Sequence, residues 1–292
     1  MSEGAKALLV QFPHPGREWG SSAGSVREWT QEEEGHGRKF LAHRGRFIAE
    51  NGQLEAGDLT FWGEWEARSA VTEIAQPSRS GPSWIHRPLP GHAHGLKHPQ
   101  NTDPFVFGAF LYSLCRQASH PTLRSLPTGS VILFGSTVSG DFLIDTVFVV
   151  GSAHPHTRLN YVKALARLVP AAYWDVSLRP WYRTAEDQST LYVGATIRSP
   201  IHDMYSFVPC QIGPIGSRGF ARPRVTVPEV NPESSRNIKI LGSFDPGEMR
   251  RRWDVVVEDV TRAKCLLGVG IDAVPWPTEE SWRLCPVLRQ LE

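Results

Sequence analysis

The residues with the most chemical potential lie in the run Gly57-Asp58-Leu59-Thr60-Phe61-Trp62-Gly63-Glu64-Trp65-Glu66. On an extended strand side chains alternate, so Leu59, Phe61 and Trp65 share one face and Thr60, Trp62, Glu64 and Glu66 the other. Acids two residues apart on one face stand about 7 Å from each other. An aromatic ring beside two carboxylates suits a flat group with N–H donors, either a nucleobase or a guanidinium. The ring stacks while a carboxylate accepts the amino protons. The plainer alternative is a half-exposed strand with a solvated acidic face and a core tryptophan.

A third acid, Asp145, interrupts the apolar run Phe142 to Val150. A buried carboxylate is costly without a partner, so Asp145 is expected to pair with an arginine, or to act as a general base or ligand acceptor. Ser136 sits in Gly135-Ser136-Thr137-Val138-Ser139-Gly140, which is small and polar at a strand end. It lacks the Gly-Lys-Ser/Thr of a phosphate loop and does not fit G-x-S-x-G, so a tight hairpin loop is the default and a ligand contact the alternative. His14 is held between Pro13 and Pro15 at the end of the first expected strand, where functional residues and rigid turns both occur. If the chain is an enzyme, Glu64, Asp145 and His14 are the catalytic candidates.

Arginines and aromatics interleave twice, at Arg179, Trp181, Tyr182 and Arg183, and at Arg218, Phe220, Arg222 and Arg224. Arginine on phosphate with aromatic stacking on bases is the chemistry of single-stranded nucleic-acid binding. Ten tryptophans raise the chance of finding such pairs by accident. Arg250, Arg251 and Arg252 carry less, because Asp254 and Glu258 allow helical i,i+4 pairing with Arg250 and Arg262. His92, His94 and His98 offer imidazoles without a neighbouring acid or thiol, so a solvated loop is the expectation and no metal or other cofactor is assigned.

These residues need elements to position them. Ala5 to Phe12 reads as a strand closed by Pro13-His14-Pro15-Gly16, and 17–37 as a mobile polar loop. Lys39 to Ile48 and Leu59 to Glu66 read as strands around an Asn51-Gly52 turn. Residues 76–100 read as an irregular connection. Asp103-Pro104 looks like a helix start, with Phe107, Phe110, Leu111, Leu114 and Cys115 at helical spacing behind it. Ser130 to Val138 and Asp141 to Gly151 form a hairpin around Ser139-Gly140, apolar on both faces as at the centre of a sheet.

The apolar spacing from Leu159 to Val169 predicts a helix stopped by Pro170. Tyr192 to Ile197, Tyr205 to Val208 and Arg224 to Val227 are short strand candidates. Asp245-Pro246-Gly247-Glu248 opens a last helix carrying Met249, Trp253, Val256, Val257 and Val260 and ending near Gly268. The pattern predicts an α+β fold, with a mixed, mostly antiparallel sheet or a partly closed β-barrel and flanking helices. No linker divides residues 1–292, so a single α+β domain is expected.

Composition excludes several classes. Lys+Arg 31 against Asp+Glu 30 gives a net charge of +1, which rules out a histone-like polycation but not a local basic patch. A hydrophobic share of 40% with 21% charged residues argues against disorder. Gly 26 and Pro 23 together make about 17% of the chain against a usual level of roughly 12%, favouring strands and loops over a helical bundle. No apolar run approaches the roughly 18 residues of a spanning helix. Ala7 to Val10 is too short for a secretory signal, so no membrane contact is expected. Cys115, Cys210, Cys265 and Cys285 show no C-x-x-C spacing, and reduced thiols in a cytoplasm are the expectation.

Two stretches resemble the PUA-like superfamily, which includes the ASCH, EVE and YTH domains. Gly57-Asp58-Leu59-Thr60-Phe61-Trp62 is similar to its Gly-Asp opening of an apolar strand. Val131-Ile132-Leu133-Phe134-Gly135-Ser136 with Ser139-Gly140-Asp141-Phe142 resembles the YTH and EVE hairpin. The likeness covers about a tenth of the chain, and the aromatic cage of YTH domains has no counterpart in it. It implies a small β-barrel over about residues 1–155, an extension over 156–292, and binding of RNA or modified bases.

The residues and the resemblance together lead to an expected nucleotide-, modified-nucleobase- or nucleic-acid-binding protein. Trp62 would stack, Glu64, Glu66 or Asp145 would accept from the base, Ser136 would contact ligand, and Arg183, Arg222 and Arg224 would hold phosphate. Single-stranded nucleic acid, tRNA included, is the expected partner. The alternative is a metal-independent transferase or hydrolase acting on a nucleotide, an aminoacyl group or a guanidinium-bearing molecule. An interaction protein that docks a partner chain is a third class.

Overall fold

The computed structural model describes residues 6–20, 26–74, 82–91, 96, 98–182, 188–213, 221–234 and 237–276. Its first seven strands are β1 (Ala7–Pro13), β2 (Val26–Arg27), β3 (Lys39–Ile48), β4 (Leu54–Gly63), β5 (Ser69–Glu73), β6 (Trp84–Pro88) and β7 (Leu111–Tyr112). Then follow β8 (Val131–Val138), β9 (Asp141–His156), β10 (Ser189–Gly194), β11 (Val208–Ile212), β12 (Lys239–Phe244) and β13 (Leu266–Ile271). Helices α1 (Tyr161–Leu165), α2 (Ala171–Tyr173) and α3 (Arg179–Tyr182) are short, and α4 (Pro246–Arg262) is the one long helix among the described residues.

The strands form two mixed sheets, so the fold is α+β. The first runs β12-β1-β8-β9-β10-β7 and the second β13-β11-β4-β3-β6-β5-β2. An extra pairing of β13 with β3 curls one end of the second sheet, yet no closed barrel results. Both sheets draw strands from both halves of the chain: β12 pairs with β1, and β13 with β3.

The β8–β9 hairpin turns at Ser139-Gly140, both at positive φ (53° and 84°), the conformation that matches strand twist in a two-residue turn. Its two faces serve two cores. Ile132, Phe134, Phe148 and Val150 join Phe105, Phe107 and Tyr112, while Val131, Leu133, Val147 and Val149 pack with Met249, Trp253 and Val256 of α4. α4 starts as its residues demand, with the Asp245 side chain accepting the Glu248 N–H at 2.8 Å. It ends at Arg262 rather than near Gly268, because the apolar run from Leu266 is taken by β13.

Several expectations fail, the first because burial on every side erases periodicity. The apolar residues after Asp103 form no helix. Phe105, Phe107, Phe110, Leu111 and Leu114 are all buried, and the Asp103 carboxylate takes the backbone N–H groups of Ser113, Leu114 and Cys115 at 2.6–3.1 Å, tying that stretch into a compact loop. The helix expected over 159–169 shrinks to α1, leaving Leu159 93% exposed. β6 occupies part of the stretch expected to be irregular. Arg224 to Val227 makes a single bridge, from Arg224 to Leu143, instead of a strand.

The expected mobile loop at 17–37 is, where described, pinned. Trp19 N–H donates to Arg38 O at 2.7 Å, and the Glu18 carboxylate accepts from the Ser83 and Trp84 N–H groups at 2.9–3.0 Å.

Candidate functional site

Strands β3 and β4 pair antiparallel from Ile48↔Leu54 beside the turn to Lys39↔Gly63 at the open end. Continuing that register sets Arg38 opposite Glu64. The open end faces the stretch where β1, β8 and β9 meet, and there charged side chains from both sheets converge.

Seven of them pack together. Arg38 is 2% exposed, and its Nη1 lies 3.0 Å from Glu64 Oε2. Arg38 Nε lies 4.0 Å from Asp145 Oδ2, so one guanidinium stands between a carboxylate of each sheet. Arg222 reaches Asp145 Oδ1 at 3.4 Å, donates to Ser136 Oγ at 2.6 Å and to Gly16 O at 3.4 Å. Its guanidinium lies over the Trp62 ring, 4.4 Å from the centroid. Lys39 Nζ, fully buried, lies 3.2 Å from Glu66 Oε2. His36 Nδ1 lies 3.2 Å from Glu64 Oε1 and is the solvent-facing member, with 36% of its side chain exposed.

Local backbone features aim these groups. Between Phe134↔Thr146 and Gly135↔Ile144 the register of β8 and β9 shifts, leaving Asp145 as the extra residue of a β-bulge. A bulge re-aims its side chain, and here it turns the acid toward the arginines. Gly135 makes this possible: a Cβ there would lie 2.3 Å from Leu143 O. At the other wall Gly37 admits the Trp19 ring, whose Cε3 would be 1.9 Å from a Cβ. The Arg27 guanidinium and Lys39 ammonium both lie near that ring, at 4.8 and 5.7 Å.

Burial and charge act on the acids in opposite ways. Burial raises the Asp145 carboxyl to about 6, against the pull of Arg222 and Arg38 and with help from the neighbouring Glu64 charge. Burial also acts to raise Glu64, but Arg38, His36 and Lys39 outweigh it and hold that carboxyl below its ordinary value. His36 is opposed by burial, yet Glu64 outweighs it and raises the imidazole to about 9. Lys39 is lowered by burial despite Glu66.

The candidates from the sequence fare unequally. Glu64, Glu66, Asp145, Ser136, Trp62 and Arg222 come together. Glu64 (6% exposed) and Glu66 (0%) form no solvated acidic face, because arginine, lysine and histidine from the start of β3 cover them. Trp62 is 3% exposed, with Arg222 over its face and Phe40 against it at 4.7 Å, so its own ring is not an open stacking platform. Arg222 is engaged by Asp145 and Ser136 rather than turned to solvent. Arg224 lies outside the cluster at the surface, 3.0 Å from Asp141.

His14 stacks on Phe134 at 5.5 Å, and among the described residues no hydrogen bond or ion pair joins it to Glu64 or Asp145. Arg183, Arg218, Phe220, His92 and His94 fall outside the described residues, and His98 lies 3.6 Å from Glu32. The members that sequence reasoning missed are His36, Arg38, Lys39 and Trp19.

His36, Glu64 and Glu66 bring ligand atoms within 4.8 Å of one another, a donor set a divalent metal would accept. Arg38 and Lys39 already engage both carboxylates, which disfavours a further cation. Among the described residues no helix is long and apolar enough to cross a membrane. Comparison with protein-family models, curated proteins and solved structures finds no match to this chain, and the PUA-like resemblance rests on its residues alone.

Proposed function

We propose that this protein binds a nucleobase, free or within a nucleotide or a single-stranded nucleic acid, at the charge cluster between the two sheets. One observation carries the reading. Four buried polar atoms without a hydrogen-bond partner lie there: Arg38 Nε and Nη2, Asp145 Oδ2 and Trp62 Nε1. Each such atom left unsatisfied costs about 1–3 kcal/mol, so four together are a large fraction of the 5–15 kcal/mol net stability of a whole domain. A polar ligand edge with donors and acceptors side by side answers that need, and a base edge has this character. Arg38 presents donors next to the Asp145 acceptor, and the Arg222–Trp62 pair supplies a flat, cationic wall.

Because Arg222 and Arg224 are engaged by acids of the chain itself, the proposed recognition is of the base rather than of phosphate. Calorimetry with bases, nucleosides, nucleotides and short single-stranded RNA at two salt concentrations tests this. The expected result is comparable affinity for nucleoside and nucleotide with a shallow salt dependence. A steep salt dependence would move recognition to phosphate contacts, and no binding of any base would end the proposal. Asp145→Asn should weaken base binding about tenfold, while the melting temperature at pH 8 changes little.

The opposite shifts of Asp145 and Glu64 around one arginine favour a second reading, acid–base catalysis on the bound molecule. In that reading Asp145 carries the exchangeable proton and Glu64 stays ionised, without a metal. Mass spectrometry of nucleotide, aminoacyl and guanidinium compounds after incubation separates it from simple binding. Unchanged compounds leave binding alone as the function.

A further inference from the structure

We propose a second site, at the turn end of the β3–β4 hairpin, that binds a small organic anion: a short apolar or aryl body bearing one carboxylate or phosphate. A groove of about 190 Å³ opens there, walled by Leu54, Val106, Phe110 and Ile197, with Arg46 and Arg198 among its lining residues. Cavities of roughly 150 Å³ take up a molecule the size of benzene, so one ring or a short chain fits. No acid lines the groove. Among the described residues neither the Arg46 nor the Arg198 side chain makes an ion pair or a hydrogen bond, so both guanidiniums are available to an anion.

Arg46 is placed rather than trailing in solvent. A Cβ on Gly270 would come within 3.1 Å of its Nη2 and 3.6 Å of its Cζ, so the missing side chain lets the guanidinium lie against β13 at the groove. Apolar walls together with two arginines on the rim select a ligand with both an apolar body and an anionic head. This proposal is independent of the buried cluster, which lies at the other end of the same hairpin.

Titrations of the full chain with benzoate, phenyl phosphate, benzyl alcohol and inorganic phosphate, followed by calorimetry, test it. Benzoate or phenyl phosphate should bind at least tenfold tighter than benzyl alcohol and inorganic phosphate, and the stronger of the two anions identifies the head group. The double variant Arg46→Gln/Arg198→Gln should lose at least tenfold in affinity at unchanged melting temperature, since both side chains are exposed. Ala109→Trp, at the groove wall, should also block binding. Equal affinity for the alcohol or for inorganic phosphate, binding indifferent to the double variant, or no anion binding at millimolar concentration would each overturn the assignment.

Discussion

The two ends of the β3–β4 hairpin are built from the same two strands and treat charge in opposite ways. At the open end Arg38, Lys39, Glu64, Glu66, Asp145 and Arg222 are buried between the sheets, three acids against three bases. At the turn end Arg46 and Arg198 border a mostly apolar groove with no acid beside them. The same residue type is thus a structural hub at position 38, at the entry to β3, and an available ligand group at position 46 within it. The difference lies in what the second layer supplies. β9 brings Asp145 over the open end, whereas the segment around Phe110 and Ile197 brings only apolar walls and another arginine over the turn end.

The largest expected effect is at the hub. Arg38→Met strands Glu64 and Asp145 in a buried site, and breaking a buried ion pair by removing one partner costs about 3–5 kcal/mol. Urea denaturation measures it, and a loss under about 1 kcal/mol would show that this end is wetter than its burial suggests. Next comes Gly135→Ala. With a Cβ 2.3 Å from the backbone oxygen of Leu143, the β8–β9 bulge must shift, costing about 1–3 kcal/mol of overpacking strain. Ligand affinity at the cluster should fall with it, because the bulge aims Asp145. A variant as stable as the parent would remove the bulge from the account of the site.

A smaller effect comes from pH. His36 is raised from 6.5 to about 9 in the folded chain, so its contribution is fully present below pH 6.5 and is lost as pH rises through 9. Asp145, raised from 3.8 to about 6, likewise makes the fold less stable as pH climbs from 4 to 6. The melting temperature should therefore decline toward alkaline pH, and His36→Gln should flatten the limb between pH 6.5 and 9. Parallel profiles for the two proteins would deny His36 its ion pair with Glu64. The smallest effect sharpens the contrast: Arg46→Gln, on the same strand as the hub's neighbour Lys39, should change unfolding free energy by no more than about 0.5 kcal/mol. A larger loss would mean that the turn end, too, depends on its charge for stability.

Much of the scaffold was legible because its signals are local. Asn51-Gly52 and Ser139-Gly140 demand turns whatever surrounds them, and the Asp245 cap with Pro246 starts a helix from its own atoms. An acid within the apolar strand β9 announced that it needed a basic partner, and Arg38 and Arg222 are its partners. The register of β3 on β4 was also within reach: a turn at Asn51-Gly52 pairs residues whose numbers sum to 102, which places Arg38 opposite Glu64. That signal went unused because 17–37 is polar and Glu- and Gly-rich, the composition of a solvated loop. Polarity along the chain does not distinguish a side chain that meets water from one that meets an opposite charge.

By itself, then, the sequence determined the turns, the α4 start, the double-faced apolar hairpin and the identity of most of the acids. Tertiary structure alone decided that Glu64 and Glu66 are buried rather than solvated, because that depends on His36, Arg38 and Lys39 closing over them. It also decided that the stretch from Phe105 to Leu114 is loop and strand, since a segment buried on every side has no wet face for helical spacing to report. The same holds for Arg38, just before β3, and Arg46 within it. Their roles follow from the layer that covers each end of the hairpin, a long-range packing outcome that no local spacing encodes.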